Sequence, residues 1–390
     1  MEYTHKFKQL KGIFNIHEDL INVTGSNIQI RNLTFESLSS LSFPFEDIYD
    51  SYSIDQLNLA MDEGIKENEQ FRYPIFYPKS DGRFKSAIIL LHGLNEKSWF
   101  KYLPWAYFLA EQLNRPVILF PISFHMNRCP DSWSNPRDMM SLVQQRIVGS
   151  GNDMLTFANV AISQRLSEDP IRFFRAGKQS ADDIIDLLYF IKHGNHPLFE
   201  KNTKVDFFSY SIGAFLSQIL FIANPDNAFS DSKLFLFCGG ACFSEMNGAS
   251  RLIMDNQAYK SLRKFYLGDF INDLKKKSTF SEYIKESSLG NAFLSMLSPD
   301  SNKWYREFMF EKMEERVKAV TLKKDSVIPS NYIKSTLSCI KSKVKNFIEE
   351  LDFSFEYSHE VPFPILSDEN YLQVDKAFER VFTSAVEFYR

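Results

Sequence analysis

The sequence predicts an α/β fold with a doubly wound, mostly parallel sheet. Short apolar segments that are typical of strands alternate with longer segments whose apolar residues recur at helical spacing. One predicted strand, residues 205–210, runs straight into a tight turn at Ser211, and an apolar helical pattern begins directly after that turn. Strands that alternate with helices form parallel sheets, because each helix carries the chain back across one face of the sheet.

The individual strands and helices follow from these patterns in chain order. An alternating segment at 27–35 predicts a strand at one edge of the sheet. The other predicted strands cover residues 73–77, 86–91, 117–121, 205–210, 234–238, 319–324 and 353–357. The predicted helices cover residues 101–114, 178–193, 211–223, 331–350 and 370–390. The last helix carries a continuous apolar face, so we expect it to dock on the sheet.

Two long intervals interrupt this alternation, at about 123–177 and about 240–316. Loops of this length without secondary structure are uncommon in compact domains, so we expect helices in both intervals. The sequence has no internal repeat and no linker rich in Pro, Gly and Ser. We therefore predict one α/β domain over residues 71–390, with the two intervals as helical cap or lid insertions. Residues 1–70 would form an N-terminal extension packed on this core.

Composition argues against several classes of partner. A net charge of -4 disfavours binding to a nucleic acid backbone as the main role. The sequence has no apolar run long enough to span a bilayer, and its first residues lack the apolar core of a secretory signal. The four cysteines fit neither a disulfide framework nor a zinc spacing, and no phosphate-binding glycine loop is present. We predict a cytoplasmic protein without metal, cofactor or integral membrane segment, and the oligomeric state stays open.

Ser211 is the predicted nucleophile. A serine hydroxyl reacts when it is exposed, placed beside a base and faced by hydrogen-bond donors for the oxyanion. A sharp strand-to-helix turn exposes it, and small residues two positions before and after it allow the strand and the helix to approach. These positions hold Ser209 and Gly213, so a serine replaces the first glycine of the GxSxG pattern. The alternative is a serine that only caps a helix.

Three further segments complete a resemblance to the α/β-hydrolase superfamily. An apolar strand ends in a His-Gly pair at His92, a second strand ends in Asp325, and a third segment runs out to His359. Ser211, Asp325 and His359 occur in the chain order that this superfamily uses. The resemblance covers the chain from about residue 70 onward and points to no familiar branch of the superfamily.

The resemblance implies the roles of a catalytic triad. His359 would act as the general base on Ser211, and Asp325 would orient the imidazole and stabilise its positive charge. Asp352 and Glu356 lie nearby in sequence and compete with Asp325 for the role of the acid. The chain has seven histidines, and chain order favours His359 over the other six.

The resemblance also implies an oxyanion hole beside the serine. The backbone N–H groups of Leu94 and Ile212 are the candidate donors. One such donor typically stabilises the transition state by roughly 2.7 to 4 kcal/mol. Asn95, which follows Leu94, and Tyr210, which precedes Ser211, are candidates for substrate contacts. His125 follows a predicted strand and could at most line the pocket. Without the resemblance, the His-Gly pair is only a strand that ends in a turn.

The implied activity is cleavage of an ester or similar acyl bond in a small-molecule substrate through a covalent acyl-enzyme. The superfamily also contains thioesterases, peptidases and acyltransferases, and its fold persists in non-catalytic binding proteins, so these alternatives stay open. Cys238 is a weak alternative nucleophile that we interpret as a buried thiol. A hydrophobic acyl pocket is a further hypothesis, based on apolar residues of the second interval: Phe243, Phe265, Tyr266, Phe270, Phe280, Phe293, Leu294, Met296 and Leu297.

Overall fold

A nine-stranded mixed sheet forms the centre of the computed structural model, which describes residues 1–38, 62–147, 153–340, 344, 347–365 and 371–390. The strands are β1 (Leu20–Asn22), β2 (Ile28–Glu36), β3 (Gln70–Pro78), β4 (Phe84–Leu91), β5 (Val117–Leu119), β6 (Phe199–Tyr210), β7 (Leu234–Phe237), β8 (Val317–Leu322) and β9 (Ile348–Leu351). Their order across the sheet is β1-β2-β3-β5-β4-β6-β7-β8-β9. From β5 to β9 in this order the pairs are parallel, whereas β1, β2 and β3 join antiparallel.

The central strands are buried on both faces because their side chains alternate between two hydrophobic cores. In β4, Ala87, Ile89 and Leu91 face one core, whereas Ile88 and Leu90 face the other. The strands β6 and β7 alternate in the same way. Nearly continuous apolar strands of this kind are typical of parallel sheets that are covered by helices on both sides.

Helices pack on both faces of the sheet. The described ranges contain α1 (Tyr3–Ile13), α2 (Lys66–Glu69), α3 (Leu103–Leu113), α4 (Pro136–Ile147), α5 (Val160–Glu168), α6 (Ile171–Lys192), α7 (Ile212–Ala223), α8 (Asn256–Lys264), α9 (Phe270–Asp273), α10 (Thr279–Glu286), α11 (Ser288–Ser295), α12 (Lys303–Glu311), α13 (Ser330–Leu337) and α14 (Tyr371–Tyr389). The helices α1, α3 and α14 pack together on one face. The helices α6 and α7 share the core of the other face with residues from α8 to α13. The predicted doubly wound, mostly parallel α/β sheet is therefore confirmed.

Several predicted elements match closely, with differences at their ends. The helices α3, α7 and α14 lie where the sequence predicts them, although residue 370 of the last prediction lies outside the described residues. The helix α6 begins at Ile171, before its predicted start at residue 178. The predicted strand at 27–35 is β2, but its edge position is wrong. A short hairpin places β1 at the edge, with Ile21 opposite Ile30.

The predicted helix over residues 331–350 is wrong in its second half. The helix α13 ends at Leu337, and β9 begins at Ile348, which pairs with Ala319 of β8. The last apolar residues of the predicted helix thus belong to an edge strand, because a short apolar run fits either period. Residues 341–343 and 345–346 of this prediction lie outside the described residues.

The predicted strand over residues 353–357 is also wrong, because this segment forms bends and has no ladder partner in the described part of the chain. The ring of Phe353 stacks on Phe355, with 5.3 Å between the ring centroids, and meets Tyr357 edge-on at 5.0 Å. Phe355 and Tyr357 are buried in the core under α14. The alternation that predicts a strand therefore comes from aromatic packing, and His359 follows on an irregular loop.

The two long intervals contain helices and contact each other. The helices α4 and α5 lie in the first interval, and α8 to α12 lie in the second. A buried ion pair joins them, with Nη2 of Arg146 2.6 Å from Oδ2 of Asp255. Asp255 also caps α8, since its Oδ1 accepts the N–H of Ala258 at 2.8 Å. None of the helices in the described ranges combines the length and the hydropathy that a membrane crossing requires.

Candidate active site

Ser211 lies at the apex of a sharp turn between β6 and α7. Its backbone has φ 56° and ψ -120°, a conformation that residues with a side chain rarely adopt. A Cβ atom at Gly213 would lie 2.7 Å from Cβ of Leu91 and 2.8 Å from the carbonyl oxygen of His92. The N–H of Gly213 donates to that carbonyl oxygen at 3.1 Å. Only glycine permits this approach of the helix to β4, and the turn has the form of a nucleophile elbow.

Ser209, which replaces the first glycine of the pattern, is held by hydrogen bonds inside the turn. Its Oγ lies 2.5 Å from Oγ of Ser217, and Ser217 donates to the carbonyl oxygen of Gly213 at 2.8 Å. Because the single hydroxyl proton of Ser217 is used in that bond, Ser209 is the donor to Ser217. The hydroxyl at 209 therefore links the end of β6 to the first turns of α7.

Three side chains from distant parts of the sequence form one hydrogen-bonded chain. Oγ of Ser211 lies 2.7 Å from Nε2 of His359, and Nδ1 of His359 lies 2.7 Å from Oδ2 of Asp325. These residues follow β6, β9 and β8, so they lie beyond the carboxyl ends of parallel strands. Since Nδ1 faces the carboxylate, it carries the proton, and Nε2 is left to accept a proton from the serine.

Asp325 is held by the backbone of its own turn. Its Oδ1 accepts the N–H groups of Val327 and Ile328 at 2.9 and 2.8 Å, which leaves Oδ2 directed at the histidine. The sequence competitors Asp352 and Glu356 lie on the surface, with 41% and 94% of their side chains exposed. They form ion pairs with surface lysines there.

The two predicted oxyanion donors come from two segments, the start of α7 and the loop after β4. The N–H of Ile212 is the first of α7, and the first N–H groups of a helix have no intrahelical acceptor. Leu94 lies in the loop after β4, which a backbone hydrogen bond ties to the start of α7. The N–H of its neighbour Gly93 is already used, because it donates to the hydroxyl of Tyr102 at 3.0 Å. Leu94 and Ile212 border the same cavity.

That cavity has a volume of about 80 Å³ and an almost wholly apolar wall. Its lining beyond Leu94 and Ile212 consists of Ile122, His125, Phe173, Phe174, Ala176, Gly177, Lys178, Ala181, Phe215, Leu216, Ile219, Tyr283, Leu289 and Phe293. Of the second-interval residues that the sequence favours for an acyl pocket, Phe293 lines this cavity, whereas Phe243, Tyr266 and Phe270 lie in the surrounding core. Sequence reasoning missed the contribution of α7, although three of its apolar residues at close helical spacing follow the serine.

The two predicted substrate contacts lie outside this cavity lining. The ring of Tyr210 stacks on the imidazole of His359, with 5.5 Å between centroids and 19° between planes. Its hydroxyl donates to the backbone carbonyl of His359, so Tyr210 supports the histidine from behind. The side chain of Asn95 is buried, and its amide donates to two backbone carbonyls, those of Ala158 and Leu252.

Two further histidines lie beside the site. Nε2 of His92 accepts the N–H of Ile122 at 2.9 Å, and its Nδ1 donates to the carbonyl oxygen of Gly93, so His92 ties the loop after β4 to the loop after β5. Burial lowers the pKa of His92 to about 3. Burial, with His92 nearby, also holds the pKa of His125 well below its ordinary value, and His125 lines the cavity.

Cys238 is unsuited to the role of nucleophile. It is fully buried, and burial together with the Asp325 carboxylate raises the pKa of its thiol well above the usual value. Since the thiolate is the reactive form, such a thiol is inert at neutral pH. Cys129 and Cys242 are also buried, whereas Cys339 is half-buried. In the part of the chain that the structure describes, no three His, Cys, Asp or Glu side chains are placed to hold a metal ion.

Comparisons with known proteins give distant structural matches and one family. A hyperthermophilic esterase from the archaeon Pyrobaculum calidifontis matches with a TM-score of 0.43 and 11% identity, over 98% of this chain and 88% of that one. A peroxisomal alpha-beta-hydrolase from Saccharomyces cerevisiae matches with a TM-score of 0.38 and 12% identity, over 93% and 90%. No curated protein matches the sequence. The model of a family of unknown function, DUF6051, matches residues 1–390, so this chain belongs to that family.

Proposed function

We propose that the protein is a serine hydrolase that cleaves an ester or a similar acyl bond through a covalent acyl-enzyme. The observation that carries this proposal is the hydrogen-bonded chain from Ser211 through His359 to Asp325, with 2.7 Å at each step. A serine nucleophile needs a base within hydrogen-bond reach, and the base needs a third group that orients it.

In the first half of the reaction, Oγ of Ser211 bonds to the acyl carbon while Nε2 of His359 takes the hydroxyl proton. The carbonyl electron pair moves onto oxygen, and the N–H groups of Leu94 and Ile212 stabilise the resulting oxyanion. When this intermediate collapses, the bond to the alcohol breaks and His359 gives its proton to the leaving oxygen. Asp325 stays ionised throughout and stabilises the imidazolium.

In the second half, water replaces the alcohol as the nucleophile. His359 takes one proton from the water, the hydroxide bonds to the acyl carbon, and collapse of the second intermediate returns the proton to Oγ of Ser211. The products are a carboxylic acid and the free enzyme. The two long intervals would act as a cap that keeps other water away from the acyl-enzyme.

The cavity beside Leu94 and Ile212 favours a small apolar acyl group. It measures about 80 Å³, whereas an apolar cavity of about 150 Å³ binds benzene. We therefore assign it to an unbranched acyl chain of about two to four carbons, by comparison with that ring of six.

Labelling with a fluorophosphonate probe tests the proposal directly. We expect the native chain to be labelled and Ser211→Ala to remain unlabelled, because the probe bonds only to an activated hydroxyl. Cys238→Ala should be labelled like the native chain. Asp325→Asn should be labelled more slowly by a factor of roughly 10⁴, as expected when the histidine loses its orienting acid.

The controls separate loss of chemistry from loss of fold. Each variant is checked by circular dichroism and thermal unfolding before it is labelled. A native chain that stays unlabelled, or a Ser211→Ala variant that still reacts, overturns the proposal in favour of a non-catalytic scaffold or another nucleophile. Matched acetyl esters, thioesters and amides then assign the leaving group.

A further inference from the structure

Asn95 connects the predicted oxyanion loop to both long intervals. It directly follows Leu94, and its backbone lies in the left-handed region with φ 60°, which asparagine tolerates better than most residues. Its Nδ2 donates one N–H to the carbonyl oxygen of Ala158, in the first interval, and the other to that of Leu252, in the second, both at 2.8 Å. One buried side chain thus fixes three separate segments relative to one another.

Leu252 belongs to a short segment, residues 249–254, that we call the strap. Its ends are joined by a bridge between Ala249 and Met254. The first interval holds the strap at two more points, because Oγ1 of Thr156 donates to the carbonyl oxygen of Arg251 at 2.7 Å and Nδ2 of Asn159 donates to that of Ser250 at 2.9 Å.

The strap also reaches the histidine side of the site. Oγ of Ser250 donates to the carboxylate of Glu360, the residue that follows His359. The strap therefore spans from the residue after Leu94 to the residue after His359. Movement of the strap would shift the loops that carry the oxyanion donor and the base together.

We propose that Asn95 is a positioning residue that acts through Leu94: it holds the oxyanion N–H in place by tying its loop to the strap and to the first interval. This inference rests on the proposed serine hydrolase function. An oxyanion donor stabilises the transition state only when it is held within about 0.5 Å of its productive place. Loss of one such donor lowers kcat by roughly 10² to 10³. The cavity wall does not include Asn95, so its effect is on kcat and not on substrate affinity.

The test compares Asn95→Asp and Asn95→Gly with Asn32→Asp. Aspartate keeps the size of the side chain but has no N–H pair for the two carbonyls, and glycine keeps the left-handed backbone without strain. Asn32 is a matched control on β2, which three strands separate from β6 in the sheet. Its buried Nδ2 likewise bridges two backbone carbonyls, those of Asn15 and Glu18. In both asparagines, Oδ1 has no hydrogen-bond partner among the described residues.

We expect both Asn95 variants to lose roughly 10- to 100-fold in kcat on a short-chain ester, with KM within about threefold of the native value. Their fluorophosphonate labelling should slow by a similar factor. Asn32→Asp should lower the unfolding temperature and leave kcat unchanged. Ser250→Ala, which frees the strap from Glu360, should give a smaller loss of kcat and serves as a second variant if Asn95→Asp does not fold.

Three outcomes overturn the inference. Native kcat in Asn95→Gly contradicts it, as does an equal loss of kcat in Asn32→Asp, which would make the effect one of general stability. A rise in KM at native kcat would instead make Asn95 a substrate contact. A native chain that hydrolyses no ester and takes no label rejects the serine hydrolase proposal itself, and this result is separate because it appears before any variant is compared.

Discussion

At the scale of single residues, Ser209 shows how this chain departs from the glycine-flanked pattern and still forms the turn. A glycine two positions before the nucleophile gives the strand room to meet the helix. Here the extra hydroxyl is used, because Ser209 donates to Ser217 and Ser217 donates to the carbonyl oxygen of Gly213. Both serines are fully buried, so each hydroxyl depends on this chain of bonds.

Ser217→Ala should therefore destabilise the protein by about 1 to 3 kcal/mol, because it leaves the buried donor of Ser209 without an acceptor. Ser209→Ala on its own should cost less, since Ser217 keeps its bond to Gly213. The double variant should lose less unfolding free energy than the two single variants lose together. We expect a difference of at least about 0.5 kcal/mol, as is usual for side chains in contact. Urea unfolding of the four proteins measures this, and additive costs would contradict the hydrogen-bonded link.

The sequence was most informative where chemistry and chain order coincide. Ser211, Asp325 and His359 each follow an apolar segment, and the structure brings all three within hydrogen-bond distance. Sequence reasoning did not place Tyr210 behind the imidazole, and it could not find the bonds of Asn95. These depend on contacts between residues 63 to 157 positions apart, which no local pattern records.

At the scale of elements, the errors fall at the two edges of the sheet, and the larger ones lie beside the edge strand β9. Apolar periodicity predicts one helix over residues 331–350, whereas α13 ends at Leu337 and β9 begins at Ile348. The pairing of Ile348 with Ala319 decides this, and it is a tertiary contact that outweighs local periodicity. By contrast, α7 and α14 carry long, unambiguous apolar patterns, and their bounds were predicted closely.

The helix α7 has two buried faces with different roles, which gives a prediction for substrate choice. Phe215 lines the cavity, whereas Phe221 packs against Phe207 and Phe229, with ring centroids 5.4 and 5.3 Å apart. Phe215→Ala should enlarge the cavity and move the preferred acyl chain from about two to four carbons to about six or more, given the size of a cavity that takes up benzene. Rates on a series of p-nitrophenyl esters measure the shift.

Phe221→Ala is the matched control for this experiment. Both phenylalanines are buried on one helix, and truncation of either should cost about 3 to 5 kcal/mol of stability. Only Phe215→Ala should change the order of preference among acyl chains. If both variants keep the native preference, or if both shift it equally, the cavity is not the acyl site.

At the scale of the whole molecule, the two long intervals join the parallel sheet as part of one packed body. The length of the stretches between the predicted strands and helices indicates where the two intervals lie, but the sequence does not indicate that they contact each other. The ion pair between Arg146 and Asp255 joins residues 109 positions apart, and residues of α8 to α11 share a core with β4 and β6. Because the described residues of both intervals pack with the strands that carry the site, unfolding of the whole protein also reports on the stability of the site.

Buried neutral histidines make that stability depend on pH. Burial lowers the pKa of His92 and of His196 to about 3, and that of His125 well below its ordinary value of 6.5. In the unfolded chain each imidazole regains an ordinary pKa of about 6.5. Below that pH the unfolded state binds more protons than the folded state. The stabilisation is therefore fully present above pH 6.5 and is lost as the pH falls toward 3.

As the pH falls below 6.5, each of these histidines should lower the unfolding free energy by up to about 1.4 kcal/mol per pH unit. His196 is the best of the three to test, because its hydrogen-bond partners lie outside the candidate site. Its Nδ1 accepts the N–H of Leu198, and its Nε2 lies 3.1 Å from the hydroxyl of Tyr73. Between pH 6.5 and 4, His196→Gln should reduce the slope of the unfolding free energy against pH by the equivalent of about one proton taken up on unfolding. His193→Gln, which replaces an exposed imidazole, is the matched control. Urea unfolding at half-unit pH steps measures the slope. An unchanged slope in His196→Gln would mean that this imidazole is protonated in the folded protein, with Nδ1 no longer an acceptor for Leu198.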